Sequence, residues 1–198
     1  MLDTLADSIT AQKRFSANAS HELKTPISTI QTIADVALAG QDESELREAL
    51  VRIREVNAGN AKTVNALLDL ARAEMPTVDA IDFGAICRDC GIEAEAVTVT
   101  GDPILLQHAV SNLVRNAHTH GEYVAGALNV RNGQATVTVE SSGPVLTEDE
   151  VATFVEPFTG SGHGLGLTLT DSIAPSHGGR LELAPREAGG LAARFIIQ

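Results

Sequence analysis

The chain has 198 residues and a mass of 20.7 kDa, which gives room for one large domain or two small ones. Hydrophobic residues make up 43% of it and charged residues 20%, which excludes a disordered or collagen-like chain. The formal net charge of −12 excludes nucleic acid as the main partner, because phosphate backbones repel an acidic chain. No stretch reaches the roughly 18 to 20 consecutive apolar residues of a membrane-spanning helix, so we expect no direct membrane contact from this chain.

The chain opens with a long stretch of helical periodicity. No glycine occurs before Gly40, and apolar residues recur at the spacing of one helix face between Leu2 and Leu38. We expect one helix over residues 2–39, about 57 Å long at about 1.5 Å per residue. A domain of this size cannot bury such a helix along its whole length.

A second helix is predicted after the break at Gly40. Asp42 or Ser44 can cap it, and the sequence Met75-Pro76 ends it. Two long helices joined by a short turn form an antiparallel hairpin with one buried seam, whereas each apolar stripe here is wide enough for more than one neighbour. We therefore expect two chains to associate in a four-helix bundle, which makes the protein a homodimer.

After residue 76 the pattern changes to shorter segments of two kinds. Strands are expected at residues 97–99, 135–139, 181–183 and 193–197, and helices at residues 103–117 and 165–176. Strands and helices mixed with turns such as Arg131-Asn132-Gly133 indicate a two-layer sandwich with helices on one face of a sheet. The predicted fold class is therefore multidomain: an α-helical hairpin over residues 1–75 and an α+β domain over residues 77–198.

Cys87 and Cys90 form a lone CxxC pair. A zinc site would need two more soft ligands at suitable spacing, and a redox motif would need a thioredoxin-like context. We therefore expect two small apolar side chains on a short helix. Two thiols are also too few for a secreted disulfide scaffold.

A set of reactive side chains lies in the middle of the first predicted helix. His21 is followed by Glu22, and Thr25 lies one turn later on the same face. A neutral imidazole is a good nucleophile near pH 7, and an adjacent carboxylate can take up its proton. Pro26 removes a backbone hydrogen bond at a cost of about 3 kcal/mol, which a bend beside a reactive side chain would explain. By itself, an exposed His next to Glu is more often ordinary helix surface.

Two asparagines of the second domain can serve as ligands for a cation. Asn112 and Asn116 are four residues apart and so share a helix face. Their amide oxygens could bind a hard cation such as Mg²⁺ that carries nucleotide phosphates. Two asparagines on a helix are otherwise common surface residues.

A glycine-rich stretch precedes the last predicted helix. Glycines before a helix let phosphate oxygens approach bare backbone N–H groups at the positive end of the helix dipole. A glycine pattern alone is a weak signal of nucleotide binding. The candidate residues are Gly162, His163, Gly164, Leu165, Gly166 and Leu167.

Taken together, these motifs resemble those of sensor histidine kinases, the family of two-component signalling. The segment SHELKTP at residues 20–26 is similar to the family's phosphoacceptor box. The resemblance implies that His21 is phosphorylated, that Glu22 assists as a base and that Thr25 positions a water in the reverse, phosphatase reaction on a response regulator. It also implies a dimeric bundle followed by a Bergerat-type α/β sandwich of the GHKL class that uses ATP and Mg²⁺.

The resemblance assigns nucleotide-binding roles in the second domain. The segment that holds the two asparagines is similar to the family's N box, which implies that Asn116 binds Mg²⁺ and Asn112 the phosphates. The glycine-rich stretch is similar to the second glycine box, and Ser141 and Gly143 fall in the first. We interpret the histidines in or near these motifs as packing or family-position residues: His118, His120, His163 and His177. Of these, His120 and His163 are the two that we expect to touch the nucleotide.

The first residues of the chain, Met1 to Leu5, look like the junction at which a membrane-proximal relay helix enters the dimerisation helix. The resemblance therefore implies a cytoplasmic location, as the intracellular part of a membrane-anchored sensor. Its implied partners are a second copy of the chain and the receiver domain of a response regulator.

Departures from the family's pattern affect three of the expected contacts with the nucleotide. Ser141 replaces an Asp that hydrogen-bonds adenine, at an expected cost of about 1–2 kcal/mol in binding. Thr119 replaces a basic residue that faces the phosphates, and the short lid at residues 159–161 contains no Lys or Arg. Missing cations should slow autophosphorylation more than they abolish binding. Arg115 could substitute, but its place one helical step from Asn116 predicts that it faces elsewhere.

The leading hypothesis is an ATP-dependent protein-histidine kinase that phosphorylates His21 and passes the phosphoryl group to an aspartate of a response regulator. The alternative is a degenerate kinase with weak ATP use, which acts as a phosphotransfer or regulator-phosphatase module through Thr25. A purely structural coiled-coil dimer would leave the phosphoacceptor and glycine-rich motifs of one chain unexplained.

Overall fold

The computed structural model describes residues 23–40, 42–121, 124–156 and 165–198. The chain divides into two compact units, of which the first ends at Leu68 and the second runs from Asp69 to Gln198. Among the described helices, none combines the length and the apolar character that a membrane span requires.

The first unit is a helical hairpin. Helix α1 is described over residues 23–39, and helix α2 spans Glu43–Ala73, so that its last residues belong to the second unit. Asp42 caps α2, because its Oδ1 accepts the backbone N–H of Ser44 at 2.8 Å, and this hydrogen bond lowers the pKa of the Asp42 carboxyl. Residues 2–22 of the predicted first helix lie outside the described residues.

Large apolar side chains are exposed along both helices of the first unit. Leu50 of α2, for example, is 58% exposed. The exposed set comprises Ile27, Val36, Leu38, Leu46, Leu50, Val51, Val64 and Leu68. The predicted four-helix bundle of two chains would cover such a surface, and the homodimer stays a prediction.

The second unit is built on antiparallel strands. The strands are β1 (Asp79–Asp82), β2 (Thr98–Gly101), β3 (Val124–Arg131), β4 (Gln134–Ser141), β5 (Arg180–Pro185) and β6 (Leu191–Ile197). β1 pairs with β2, and the other strands form one sheet in the order β3-β4-β6-β5. Alternate residues of β4, from Ala135 to Ser141, are buried, so one face of this strand lies in the core.

Helices complete the second unit. They are α3 (Phe83–Asp89), α4 (Pro103–His120), the short α5 (Glu148–Ala152) and α6 (Gly166–Ser176). α4 contacts β3, β4 and β6, and α6 contacts β5 and β6, so these two helices form the second layer on the sheet. The core between the layers includes the fully buried side chains Leu105, Leu106, Val137, Ile173, Phe195 and Ile197. The predicted α/β sandwich is confirmed.

Strands β1 and β3 were absent from the sequence prediction. The sequence of β3, VAGALNVR, contains a glycine and an asparagine. Both residues are uncommon in strands, and they weaken the alternation of apolar and polar residues that identifies a half-buried strand. Its pairing with β4 is fixed instead by the turn at residues 132–133, where Asn132 and Gly133 have φ angles of 53° and 78°. The turn itself is confirmed.

The cysteine pair lies on the short helix that the sequence predicted. Cys87 is buried in α3 and Cys90 is half-buried at its C-terminal end, and both are free thiols. Burial raises the pKa of the Cys87 thiol to about 12, which makes it a packing residue rather than a nucleophile. Among the described residues no group of three or more His, Cys, Asp and Glu side chains could hold a metal ion.

Candidate functional site

The candidate site is organised by α4. Asp102 caps this helix, with Oδ1 accepting the backbone N–H groups of Ile104 and Leu105 at 3.0 and 3.2 Å. Asn112 is buried, and Asn116 is half-buried one turn later. The helix face that the two amides are predicted to share is therefore at least half-buried at both positions.

Asp102 also joins the end of α2 and the residues before β1 to the start of α4. Its Oδ2 accepts hydrogen bonds from the Arg72 guanidinium at 2.9 Å and from the hydroxyl and backbone N–H of Thr77 at 2.7 and 3.1 Å. Burial by itself raises the pKa of the Asp102 carboxyl, but the hydrogen bonds from Thr77, Arg72 and Leu105 outweigh it and hold the pKa well below the usual range. The sequence pattern carried no signal for this network.

The same cap is fixed from the other side by His177. The backbone N–H of Asp102 donates to Nε2 of His177 at 3.0 Å, and Nδ1 donates to the carbonyl of Ile173 at 2.9 Å. These partners assign the neutral imidazole, because a backbone N–H can only donate and a carbonyl can only accept. A side chain on Gly101 would overlap the His177 ring. His177 is thus a packing residue that links α4 and α6.

Asn112 links α4 to the first turn of α6. Its Nδ2 donates to the carbonyl of Gly166 at 3.4 Å, and the same carbonyl accepts the Thr170 hydroxyl at 2.9 Å. Leu165 and Leu167, on either side of Gly166, have buried side chains. These two leucines therefore pack in the core, and only their backbone groups can face a ligand.

The start of α6 has the character of an anion site. Its N-cap residue, Leu165, provides no side-chain hydrogen bond, and the first turn contains no acidic residue. The first backbone N–H groups of a helix have no partner within it and lie at the positive end of its dipole. The buried Asn112 amide lies beside these groups. We call the region between Asn112 of α4 and Gly166 of α6 the polar corner.

Arg115 belongs to this corner, contrary to the expectation from the sequence. Its guanidinium donates a hydrogen bond to Oδ1 of Asn112, and its Nη2 lies 3.9 Å from the position of a Cβ on Gly166. The prediction that Arg115 faces elsewhere was wrong, because it considered the angle around the helix between Arg115 and Asn116 and not the angle between Arg115 and Asn112. Residues three apart share a helix face, and the spacing from Asn112 would have found it.

A second group of candidate residues meets at the far end of α4. Ser141 is buried at the end of β4, and Gly143 and His120 are exposed nearby. A Cβ on Gly143 would lie 3.4 Å from the His120 carbonyl, and a Cβ on Gly121 would lie 2.7 Å from the Cβ of Ser141. From Asn112 to His120 the helix rises about 12 Å, so the candidate positions line one elongated strip.

The remaining candidates divide between the described and the other residues. Thr25 lies exposed in α1, and its carbonyl accepts the Thr29 hydroxyl at 2.9 Å. Thr119 is exposed, and its hydroxyl donates to the Arg115 carbonyl at 2.8 Å, so it turns back onto its own helix. The predicted site residues His21, Glu22, Gly162, His163 and Gly164 lie outside the described residues.

Asn116 was predicted to bind Mg²⁺. The amide oxygen of Asn116 is a hard ligand of the kind that Mg²⁺ accepts. Mg²⁺ normally keeps several waters and bridges one or two protein groups to substrate phosphates. A single amide one helical turn from Asn112 fits this mode of binding.

Two family models match the chain. Residues 11–76 match the His Kinase A (phospho-acceptor) domain, and residues 101–198 match the Histidine kinase-, DNA gyrase B-, and HSP90-like ATPase. The first match contains the predicted phosphoacceptor segment, and the second contains α4, the sheet and α6.

A curated relative extends over both matches. The sensor protein CutS of Streptomyces coelicolor is 37% identical over 228 aligned positions, which cover 100% of this chain and 55% of the relative. The sensor histidine kinase CusS of Escherichia coli is 28% identical and is covered to 47%. The chain thus spans about half the length of the curated relatives it matches.

Solved structures share the fold. The histidine kinase ThkA in complex with the response regulator protein TrrA has a TM-score of 0.74 at 19% identity, and the match covers 97% of this chain and 63% of that one. Full-length ShkA in complex with AMPPNP has a TM-score of 0.65 at 20% identity, with 91% and 44% covered.

Proposed function

Because the chain belongs to the sensor histidine kinases of two-component systems, we propose that it is an ATP-dependent protein-histidine kinase. In this proposal the second unit binds ATP along α4 and the start of α6. The γ-phosphoryl group is transferred to His21 and then to an aspartate of a response regulator. The two family matches, at residues 11–76 and 101–198, support the pairing of a phosphoacceptor with an ATPase domain in one chain.

One observation carries the nucleotide site: the buried Asn112 amide bonded to Gly166 at an uncapped helix start without acidic residues. A triphosphate would complete the hydrogen bonding of these N–H groups and neutralise the dipole. Asn116 would hold Mg²⁺, which when bound neutralises charge on the phosphates. The AMPPNP complex of ShkA, a related fold, supports an adenine nucleotide as the ligand.

The chemistry proposed for the phosphoacceptor is an in-line displacement. A nitrogen of the neutral His21 imidazole attacks the γ-phosphorus, the bond from that phosphorus to the bridging oxygen breaks, and ADP leaves. Glu22 accepts the proton that the imidazole loses as the N–P bond forms. Glu22 then returns a proton to the ring, the aspartate carboxylate of the regulator attacks the same phosphorus, the N–P bond breaks, and His21 leaves as neutral imidazole. The ThkA complex with TrrA supports a response regulator as the acceptor.

A second candidate function is supported by the nucleotide site itself. Ser141 offers no charge to adenine, and Thr119 is an uncharged residue turned onto its own helix. With weak ATP use, the chain would serve as a phosphotransfer module or, through the exposed Thr25, as a phosphatase of its regulator. The homodimer and an intracellular place within a membrane-anchored sensor belong to either proposal and stay predictions.

The test of the leading proposal is incubation with Mg²⁺ and γ-labelled ATP. The wild type should acquire acid-labile, base-stable label, and His21→Gln should acquire none because the nucleophile is absent. Asn116→Ala should lose most of the label, while the exposed His118→Gln serves as the control for a histidine outside the proposed roles. An unlabelled wild type that still accepts phosphate from a phosphorylated regulator would contradict the kinase and support the phosphotransfer module.

A further inference from the structure

The guanidinium of Arg115 lies at the corner between α4 and α6. It donates to Oδ1 of Asn112, and its Nη2 lies 3.9 Å from the Cβ position of Gly166, the first residue of α6. An arginine has five N–H donors in a planar fork. Its bond to Asn112 therefore leaves donors at the entrance to the corner, and the residue is exposed to solvent there.

The charges around this guanidinium favour an anion. The first turn of α6 contributes partial positive charge and contains no acidic side chain. Within the part of the chain that the structure describes, no carboxylate forms an ion pair with Arg115. The positive end of a helix repels a nearby cation, and an anion bound between the two removes this repulsion.

The neighbouring position on α4 cannot provide such a cation. Thr119 is uncharged, and its hydroxyl is engaged with the Arg115 carbonyl one turn back. Arg115 is the residue that approaches both Asn112 and Gly166. Arg115 thus lies where a cation could contact phosphates bound beside Asn112 and the start of α6.

We propose that Arg115 binds the terminal phosphates of the nucleotide and so replaces the cation that is missing at Thr119. The inference rests on the proposed function, because it takes the ligand of the α4 and α6 corner to be ATP. A guanidinium can bind two phosphate oxygens at once and is always charged near neutral pH. Arg115 then determines the preference for a triphosphate over shorter nucleotides.

The experiment compares nucleotides of different length in calorimetric titrations of the full chain with Mg²⁺. Arg115→Gln should weaken ATP binding about tenfold or more, weaken ADP binding less and leave AMP binding unchanged. The matched control is Arg131→Gln, an exposed arginine at the end of β3, which should bind all three nucleotides like the wild type. Circular dichroism of each variant verifies that the fold is retained.

A second variant tests whether the two positions are interchangeable. Adding Thr119→Lys to Arg115→Gln should restore ATP affinity to within a few-fold of the wild type, because it returns a cation one turn along α4. Equal losses for all three nucleotides, or no loss for ATP, would overturn the inference while the wild type still binds ATP. A wild type that binds no ATP would overturn the proposed function as well.

Discussion

Asp102 shows how a single carboxylate can be stabilised in the core. It is fully buried, and its oxygens accept hydrogen bonds from the α4 backbone, Arg72 and Thr77. Its pKa is held well below the usual range because these bonds outweigh the effect of burial. A group with a lowered pKa in the folded state stabilises the protein above its unfolded pKa, and this contribution is lost as the pH falls.

Asp102→Asn should therefore destabilise the second unit by about 3 kcal/mol at pH 7, because the amide cannot accept all of these bonds and leaves Arg72 unpaired. The difference from the wild type should shrink as the pH falls below about 4. Urea unfolding at pH 7 and at lower pH measures both effects. Asp149→Asn, at an exposed position in α5, is the control. Equal stability of wild type and Asp102→Asn at pH 7 would contradict the prediction.

Ser141 is the residue at which a change should strengthen ligand binding. Ser141→Asp would add a charged acceptor at the proposed adenine position, so ATP affinity should rise by about 1–2 kcal/mol. The variant should unfold more easily without ligand, because the position is buried. Calorimetric titration with ATP measures the affinity, and Ser142→Asp at the half-buried neighbour is the control. Unchanged affinity would count against adenine binding at Ser141.

At the scale of elements, the connection from α6 to β5 depends on two glycines. Gly178 has a φ of 66°, which favours glycine, and the backbone N–H of Gly179 donates to the carbonyl of Ala174 at 2.9 Å. A Cβ on Gly179 would overlap the carbonyl oxygen of Ile196 in β6. The turn thus permits the close approach between the end of α6 and strand β6.

Gly179→Ala should destabilise the second unit by about 1–3 kcal/mol, because the new methyl forces the backbone of β6 to move. Gly166→Ala is a suitable comparison, since its Cβ would lie in ordinary contact, 3.7 Å from the Asn112 side chain. Thermal unfolding of both variants gives the measurement. A Gly179→Ala protein with the same melting temperature as the wild type would contradict this prediction, because the backbone would then accommodate the methyl group without loss of stability.

A comparison of the predicted and the missed elements shows which parts of the fold a local sequence pattern can specify. β4 and α4 were predicted because alternation, helical spacing and capping are local properties of the chain. β3 was not, since its pairing with β4 compensates for a weak local pattern. Asn112 and Gly166 were identified from family motifs, and the spacing from Asn112 also places Arg115 on the same helix face. The approach of Arg115 to Gly166 of α6 is a tertiary contact, which no local pattern contains.

At the scale of the whole molecule, the exposed apolar side chains of α2 support a homodimer. Leu50→Glu should raise the dimer dissociation constant more than tenfold, because burying a leucine contributes about 1.5–3 kcal/mol and a buried carboxylate opposes association. Light scattering after size-exclusion chromatography over a range of concentrations gives the mass. Lys62→Glu is the control, about 120° around the helix from Leu50. A wild type that is monomeric throughout would overturn the dimer.

The bond from the Asp102 backbone N–H to His177 has a consequence for exchange with solvent. This hydrogen is buried between the start of α4 and the end of α6, so it can exchange with deuterium only when the two helices separate. Its exchange rate therefore reports the opening of the layer that holds Asn112 and Gly166. A ligand that binds between these helices should slow the exchange at Asp102, although it touches neither Asp102 nor His177.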